Sequence, residues 1–296
     1  MGANSIMAGQ ADVILAGGVE SMSMIAMGGN LATTEVGLAQ ADPKAYTQMG
    51  ITAENIAKRY NVSREDQDVF GLASHNRAEA AQAAGKFEGE IIPVDCVKTR
   101  TTKDGKVEKY TEKFDKDEGI RYGLTMEDMQ KLKPAFIPKV GTVTAGNASQ
   151  MNDAAAAVVI MSREKADSLG LKPIAKFVSF AVAGCEPDYM GMGPVYAIPK
   201  ALKIAGLKMD DIDVFELNEA FASQALACVR ELGLENRMDD INPLGGGIAL
   251  GHPLGCTGAF LTCKLLSELK RRGKKYGVVS MCIGGGMGAA GIFEMC

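Results

Sequence analysis

The sequence predicts an α/β fold, a sheet covered by helices, with a lobe of different texture inserted into it. Three observations carry this. From Thr142 onward, short apolar runs alternate with helical stretches, which is the pattern of β and α elements in turn. Val13-Ile14-Leu15-Ala16 is a continuous apolar run ending in Gly17-Gly18, as expected of a strand buried on both faces of a parallel sheet. The segment between them is Met- and Gly-rich, then helical, then charged.

Taken in order, Met1 to Ala8 reads as the tail of a helix stopped by Gly9, with no N-cap ahead of it. The Val13–Ala16 strand needs neighbours on both sides, and nothing upstream supplies them. The expectation is therefore a missing N-terminus or a start at an internal Met. After Met- and Gly-rich loops, a helix is predicted from Gly50 to Tyr60. A second is predicted from Ser63, where Ser63 and Asp66 form a capping box, to Ala84, stopped by Gly85. Asp104-Gly105 is a turn signal in a charged hairpin. Strand Ala154–Met161 and a short helix Glu164–Leu169 follow. Then come strand Ile174–Val182, helix Ala197–Ala205, strand Val214–Leu217, helix Ala220–Leu232, helix Gly258–Arg272 and strand Gly277–Cys282. Gly291–Glu294 closes the chain. A faint echo of Val13–Gly18 in Val278–Cys282 hints at duplicated halves.

Composition narrows the function. The 296 residues carry a net charge of −4, which argues against a broad nucleic-acid surface. No apolar run approaches the roughly 20 residues of a membrane-spanning helix. Seven Cys, an odd number without framework spacing, and seventeen Met fit a reducing compartment. Thirty-five residues are Gly, against roughly 7% typically, and their clustering reads as site geometry.

Two of these clusters hold reactive side chains. His252 sits within Gly245–Gly255, where glycine lets the backbone approach a ligand and Pro253 stiffens the turn. A helix begins just beyond it, offering N–H groups to an anion. Cys282 ends a buried strand and precedes Gly284-Gly285-Gly286, whose N–H groups suit an oxyanion. Asn218 follows strand Val214–Leu217, at the strand end where such sheets gather ligand groups; an N-cap is the simpler role. Ser149 reads as a turn residue by default. His75 reads as a solvated helical residue. Gly286–Gly291 matches G-x-G-x-x-G, but neither a helix nor a ribose-binding acid follows in this sequence, so it is rejected as a dinucleotide fingerprint. No Walker motif and no metal-ligand spacing occur.

Asn218-Glu219-Ala220-Phe221, Gly251-His252-Pro253-Leu254-Gly255 and Cys282-Ile283-Gly284-Gly285-Gly286-Met287-Gly288 together resemble the thiolases, most closely the peroxisomal type of 3-ketoacyl-CoA thiolase. Gly17–Ser23, Met49–Asn55 and Thr144–Ser149 extend the resemblance over essentially the whole chain. It implies a layered αβαβα fold of two related half-domains, the first truncated. Residues 1–22 and 152–170 would be remnants of the first half, 23–151 an inserted α+β lobe embracing coenzyme A, and 171–296 the second half.

The implied activity is thiolytic cleavage of a 3-ketoacyl-CoA by CoA in fatty acid β-oxidation. CoA is a substrate, and no cofactor is implied. In that resemblance His252 activates the nucleophile and lines an oxyanion site with a water held by Asn218. Cys282 is the acid/base thiol, and the Gly284 N–H serves a second oxyanion site. Ser149 and Arg121 meet the pantetheine and phosphate of CoA, and Met49 lines the acyl pocket. Gln48, where biosynthetic members carry His, favours a degradative, longer-chain substrate. The family's nucleophilic Cys has no counterpart here, so the chain as given is expected to be impaired. A homodimer or homotetramer in the peroxisome is implied, or otherwise a mitochondrial or cytoplasmic setting. Two other classes fit the same residues: a hydrolase with Cys282 as nucleophile, His252 as base and Asn218 as orienter, and a non-catalytic CoA-binding remnant.

Overall fold

A computed structural model describes residues 1–25, 27, 29–30 and 33–296; Gly28 of the Met- and Gly-rich loop lies outside them. The chain opens with α1 (Gly2–Met7) and β1 (Val13–Ser21). The lobe contributes α2 (Val36–Ala41), α3 (Met49–Arg59), α4 (Arg64–Ala83), the hairpin β2 (Val94–Thr101) and β3 (Val107–Phe114), and α5 (Met126–Lys131). After these come β4 (Asp153–Met161), α6 (Arg163–Ser168), β5 (Ala175–Gly184), α7 (Gly193–Ala205), β6 (Val214–Leu217), α8 (Ala222–Glu231), α9 (Gly247–Leu250), α10 (Leu254–Arg272), β7 (Tyr276–Ile283) and β8 (Met287–Met295). None of these helices is long and apolar enough to cross a membrane.

Two sheets sandwich a helical layer. β1 and β4 pair antiparallel, Gly17 opposite Ala157. The second sheet runs β5-β8-β7-β6, antiparallel except for the parallel pair β6–β7. Helix α10 contacts both sheets, and α7 covers the far side of β5 and β8. Gly18 is what lets α10 approach β1: a Cβ there would overlap the Gly255 carbonyl oxygen. The main core gathers Phe215, Ile198, Val278 and Ile292 from the second half, and Ile56, Val62 and Phe70 from the lobe. The lobe is thus packed into the same core as the sheet it interrupts.

Three expectations change. Val13–Ala16 is not buried on both faces: β1 alternates, with Leu15 72% and Val19 73% exposed on its outer side. Its partner β4 runs antiparallel, not parallel. His75 is not solvated. It is buried on α4, and its Nδ1 accepts the Arg121 backbone N–H at 3.2 Å. Burial, with the Arg121 charge adding, pulls its pKa down to about 4. Finally, α10 starts at Leu254, one turn before the expected Gly258.

A fully buried ion pair fastens α10 to the sheet. Lys264 Nζ lies 3.0 Å from Glu216 Oε2 and also donates to the Gly245 carbonyl. Burial pushes Glu216 up to about 7, while the Lys264 charge holds it down against this. Removing one partner strands the other, which typically costs 3–5 kcal/mol, whereas an apolar pair of similar volume is often neutral. Lys264→Ala is therefore expected to lower unfolding free energy by about 3–5 kcal/mol in urea, and the double change Lys264→Met with Glu216→Leu by much less.

His75 gives a pH expectation. The unfolded chain binds a proton on this ring near pH 6.5, the folded chain only near 4. Unfolding thus takes up a proton between those values, so this contribution is complete above about 6.5 and is lost as pH falls toward 4. His75→Asn keeps an acceptor near the Nδ1 position and removes the titration. In urea unfolding, the variant is expected to lose less stability than the parent between pH 7 and pH 5.

Candidate active site

The two strand ends that form the site are set by register. In the parallel pair, Leu217 of β6 lies opposite Ser280 of β7, and Asn218 N–H donates to the Ser280 carbonyl at 2.9 Å. Asn218 thereby sits beside the end of β7 that carries Cys282. β7 then turns through Gly284-Gly285-Gly286 into β8, with Cys282 opposite Gly288. Among the described residues the Gly284 N–H makes no hydrogen bond.

The loop carrying His252 is fastened to the same place. Glu219 is buried, and its carboxylate accepts Ser74 Oγ at 2.6 Å, Asn242 Nδ2 at 2.8 Å and the Ile248 N–H at 3.3 Å. Ser74 Oγ in turn accepts the Gly246 N–H at 3.0 Å. The segment from Gly246 through α9 is therefore held against Asn218–Phe221. Gly251 then takes φ +91°, and a Cβ there would overlap the Asn152 amide, so only glycine delivers the chain to His252. His252 N–H donates to the Gln150 carbonyl at 3.2 Å.

His252, Cys282, Gly284 and Met49 line one small cavity, together with Thr52, Ala53, Ile56, Met190, Ala220, Phe221, Gln224 and Leu254. Most of the lining is apolar, with Thr52 and Gln224 as further polar members. Asn218 is buried close by; its amide N and O have no partner among the described residues, and its Oδ1 lies close to Gly247. Ser149 is tied through its backbone N–H to the Ala220 carbonyl at 2.9 Å. Arg121 is exposed, outside the cavity, over the lobe's His75. Of the residues singled out by sequence, four share the cavity, Asn218 and Ser149 flank it, and Arg121 stands apart.

Both reactive groups are neutral at rest. Burial lowers His252 to about 4 and raises Cys282 to about 12. His252 Nδ1 lies 2.7 Å from Thr257 Oγ1. Asn218, placed as orienter in the Cys–His–Asn reading, makes no such contact with the imidazole among the described residues. At the helix start beyond His252, the Gly255 N–H is already taken, donating to Glu20 Oε2 at 2.9 Å. Among the described residues no cluster of three or more His, Cys, Asp or Glu could hold a metal ion.

Sequence reasoning passed over Glu219, Thr257 and Gln224. Glu219 was visible within Asn218–Phe221, but its three partners lie far away in sequence. Thr257 was hidden because the helix was expected to begin after it. Gln224 carries an ordinary helical signal, and only its burial at the cavity wall marks it.

Family models described as the thiolase N-terminal domain and the thiolase C-terminal domain match residues 1–164 and 171–295. A 3-ketoacyl-CoA thiolase of Bacillus subtilis is 54% identical over 294 residues, spanning 99% of this chain and 74% of that protein. The human peroxisomal 3-ketoacyl-CoA thiolase is 52% identical over 295 residues, with 99% and 68% covered. The crystal structure of the dimeric peroxisomal thiolase of Saccharomyces cerevisiae superposes with a TM-score of 0.85 at 44% identity, covering 99% of this chain and 72% of that one. Human mitochondrial 3-ketoacyl-CoA thiolase gives 0.86 at 42%, covering 100% and 75%.

The burial of Cys282 sets an order of thiol reactivity, since the thiolate is the nucleophile. All seven cysteines are free, and Cys296 is exposed. Brief iodoacetamide treatment at pH 8 is expected to alkylate Cys296 and leave Cys282 unmodified, read by peptide mass spectrometry.

Proposed function

The chain belongs to the thiolase family, and from that premise we propose that it serves the thiolytic cleavage of 3-ketoacyl-CoA to acetyl-CoA and a shortened acyl-CoA, as in fatty acid β-oxidation. The observation that carries this reading is that His252, Cys282 and Gly284 line one cavity whose other lining residues are mostly apolar.

The reaction needs two thiols. One attacks the 3-keto carbon, and the bond between C2 and C3 then breaks. The electron pair stays on C2 as the enolate of acetyl-CoA, which takes a proton, and CoA finally collects the acyl group from the resulting thioester. Cys282 suits the proton donor: a thiol raised to about 12 stays protonated at neutral pH and can hand its proton to carbon. His252, neutral at rest, can take the proton of the attacking thiol. Gly284 N–H supports one oxyanion. A water on the unpartnered Asn218 amide, together with His252, supports the other. Met49 and its apolar neighbours suit an acyl chain. Ser149 and Arg121 are assigned to the pantetheine and phosphate of CoA by resemblance. The solved yeast relative described as dimeric supports a homodimer.

Of the seven cysteines only Cys282 lines the cavity, and with Cys282 read as the proton donor the acyl-accepting thiol is left unassigned. In a thiolysis assay following loss of the 3-ketoacyl-CoA, the 296-residue chain is expected to stay near the uncatalysed rate while still binding CoA in titration calorimetry. Robust turnover would place the nucleophile within this chain. Absence of both turnover and binding would remove the thiolysis reading.

A further inference from the structure

We propose that Thr257 is a positioning residue that fixes the tautomer of His252, holding the ring proton on Nδ1 so that Nε2 offers its lone pair to the cavity. The inference rests on the reading of His252 as a base in acyl transfer, but it concerns the resting ring and can be measured without turnover.

Thr257 is buried on α10, and its Oγ1 has two near neighbours: His252 Nδ1 at 2.7 Å and the Pro253 carbonyl oxygen at 2.9 Å. A hydroxyl carries one hydrogen, and a carbonyl oxygen can only accept. A threonine in the first turn of a helix commonly donates back to the carbonyl four residues earlier, which here is Pro253. With that hydrogen committed, the 2.7 Å approach is favourable only if Nδ1 is the donor. The relay Nδ1–H to Oγ1–H to O=C then uses each hydrogen once. Reversing it aims the hydroxyl at Nδ1 and sets its lone pairs against the Pro253 oxygen at 2.9 Å, in a fully buried place.

The rest of the loop supports a fixed ring. The His252 backbone is held by Gln150 and preceded by the positive-φ Gly251. Since Nδ1 is engaged behind the ring, Nε2 is the nitrogen left for the cavity that His252 lines. A neutral imidazole with its proton on Nδ1 is the form able to take a proton at Nε2.

His75 supplies an internal contrast. Its Nδ1 faces the Arg121 backbone N–H, which can only donate, so its own proton lies on Nε2. The chain has two histidines, and the geometry gives them opposite tautomers.

Heteronuclear NMR of the full chain, labelled with ¹⁵N and ¹³C histidine and held at pH 7, tests this directly, with His252→Asn to assign the signals. The expected spectrum shows His252 in the Nδ1–H form and His75 in the Nε2–H form. Thr257→Val should convert His252 to the Nε2–H form or a mixture, and Thr257→Ser should restore the parent pattern. An Nε2–H ring at His252 in the parent would overturn the proposal, as would a Thr257→Val spectrum unchanged at His252. An unmoved His75 signal reports that the fold is intact. Should the valine variant unfold, the parent tautomer and the serine variant decide. Loss of CoA binding alongside an Nδ1–H ring would sink the thiolysis reading and leave this assignment standing.

Discussion

The buried carboxylate of Glu219 is the contact on which the reactive end of the molecule depends. It takes hydrogen bonds from α4 through Ser74, from the loop after α8 through Asn242, and from α9 through the Ile248 N–H. Asn242 also grips the end of β6, accepting Leu217 N–H at 2.9 Å and donating to its carbonyl at 2.7 Å. One acid therefore relates the lobe, the strand end bearing Asn218 and the loop leading to His252. Burial pushes Glu219 toward its neutral form, and the hydrogen bonds from Ser74, Asn242 and Ile248 hold it back. A buried carboxylate without such partners would be far too costly to retain. The three donors and the acid specify each other.

Around that frame the reactive side chains are kept uncharged by the same dry surroundings. Desolvation disfavours imidazolium at His252 and thiolate at Cys282 alike. Neither group draws on a carboxylate neighbour; His252 leans on a hydroxyl. The Gly284 N–H, without a hydrogen-bond partner among the described residues, lies on a residue that lines the same cavity.

Much of this was legible in the sequence where the signal was local. The capping box at Ser63 sets the start of α4, Val214–Leu217 forms a strand within those bounds, and the Gly-rich stretches around His252 and Cys282 do face one cavity. The misreadings came where a local pattern met a distant partner. Val13–Ala16 has the composition of a doubly buried strand, yet its alternating contacts with α1 and α10 bury one face only. The polar neighbours of His75 in sequence are not its neighbours in space, because the helix turns it toward the Arg121 loop. The first turn of α10 has no side-chain cap to announce it, so Pro253–Thr257 read as loop and the partner of the imidazole went unseen. Arg121 carries a resemblance that the cavity itself does not include.

The bond from Gly255 to Glu20 joins the first turn of α10 to a strand of the other sheet. Three residues back along the chain is the imidazole; two residues on is the hydroxyl it touches. The ring and its hydroxyl partner therefore flank a residue that is fastened to the neighbouring sheet. How the two layers sit against each other is thus written into where the His252 imidazole comes to rest.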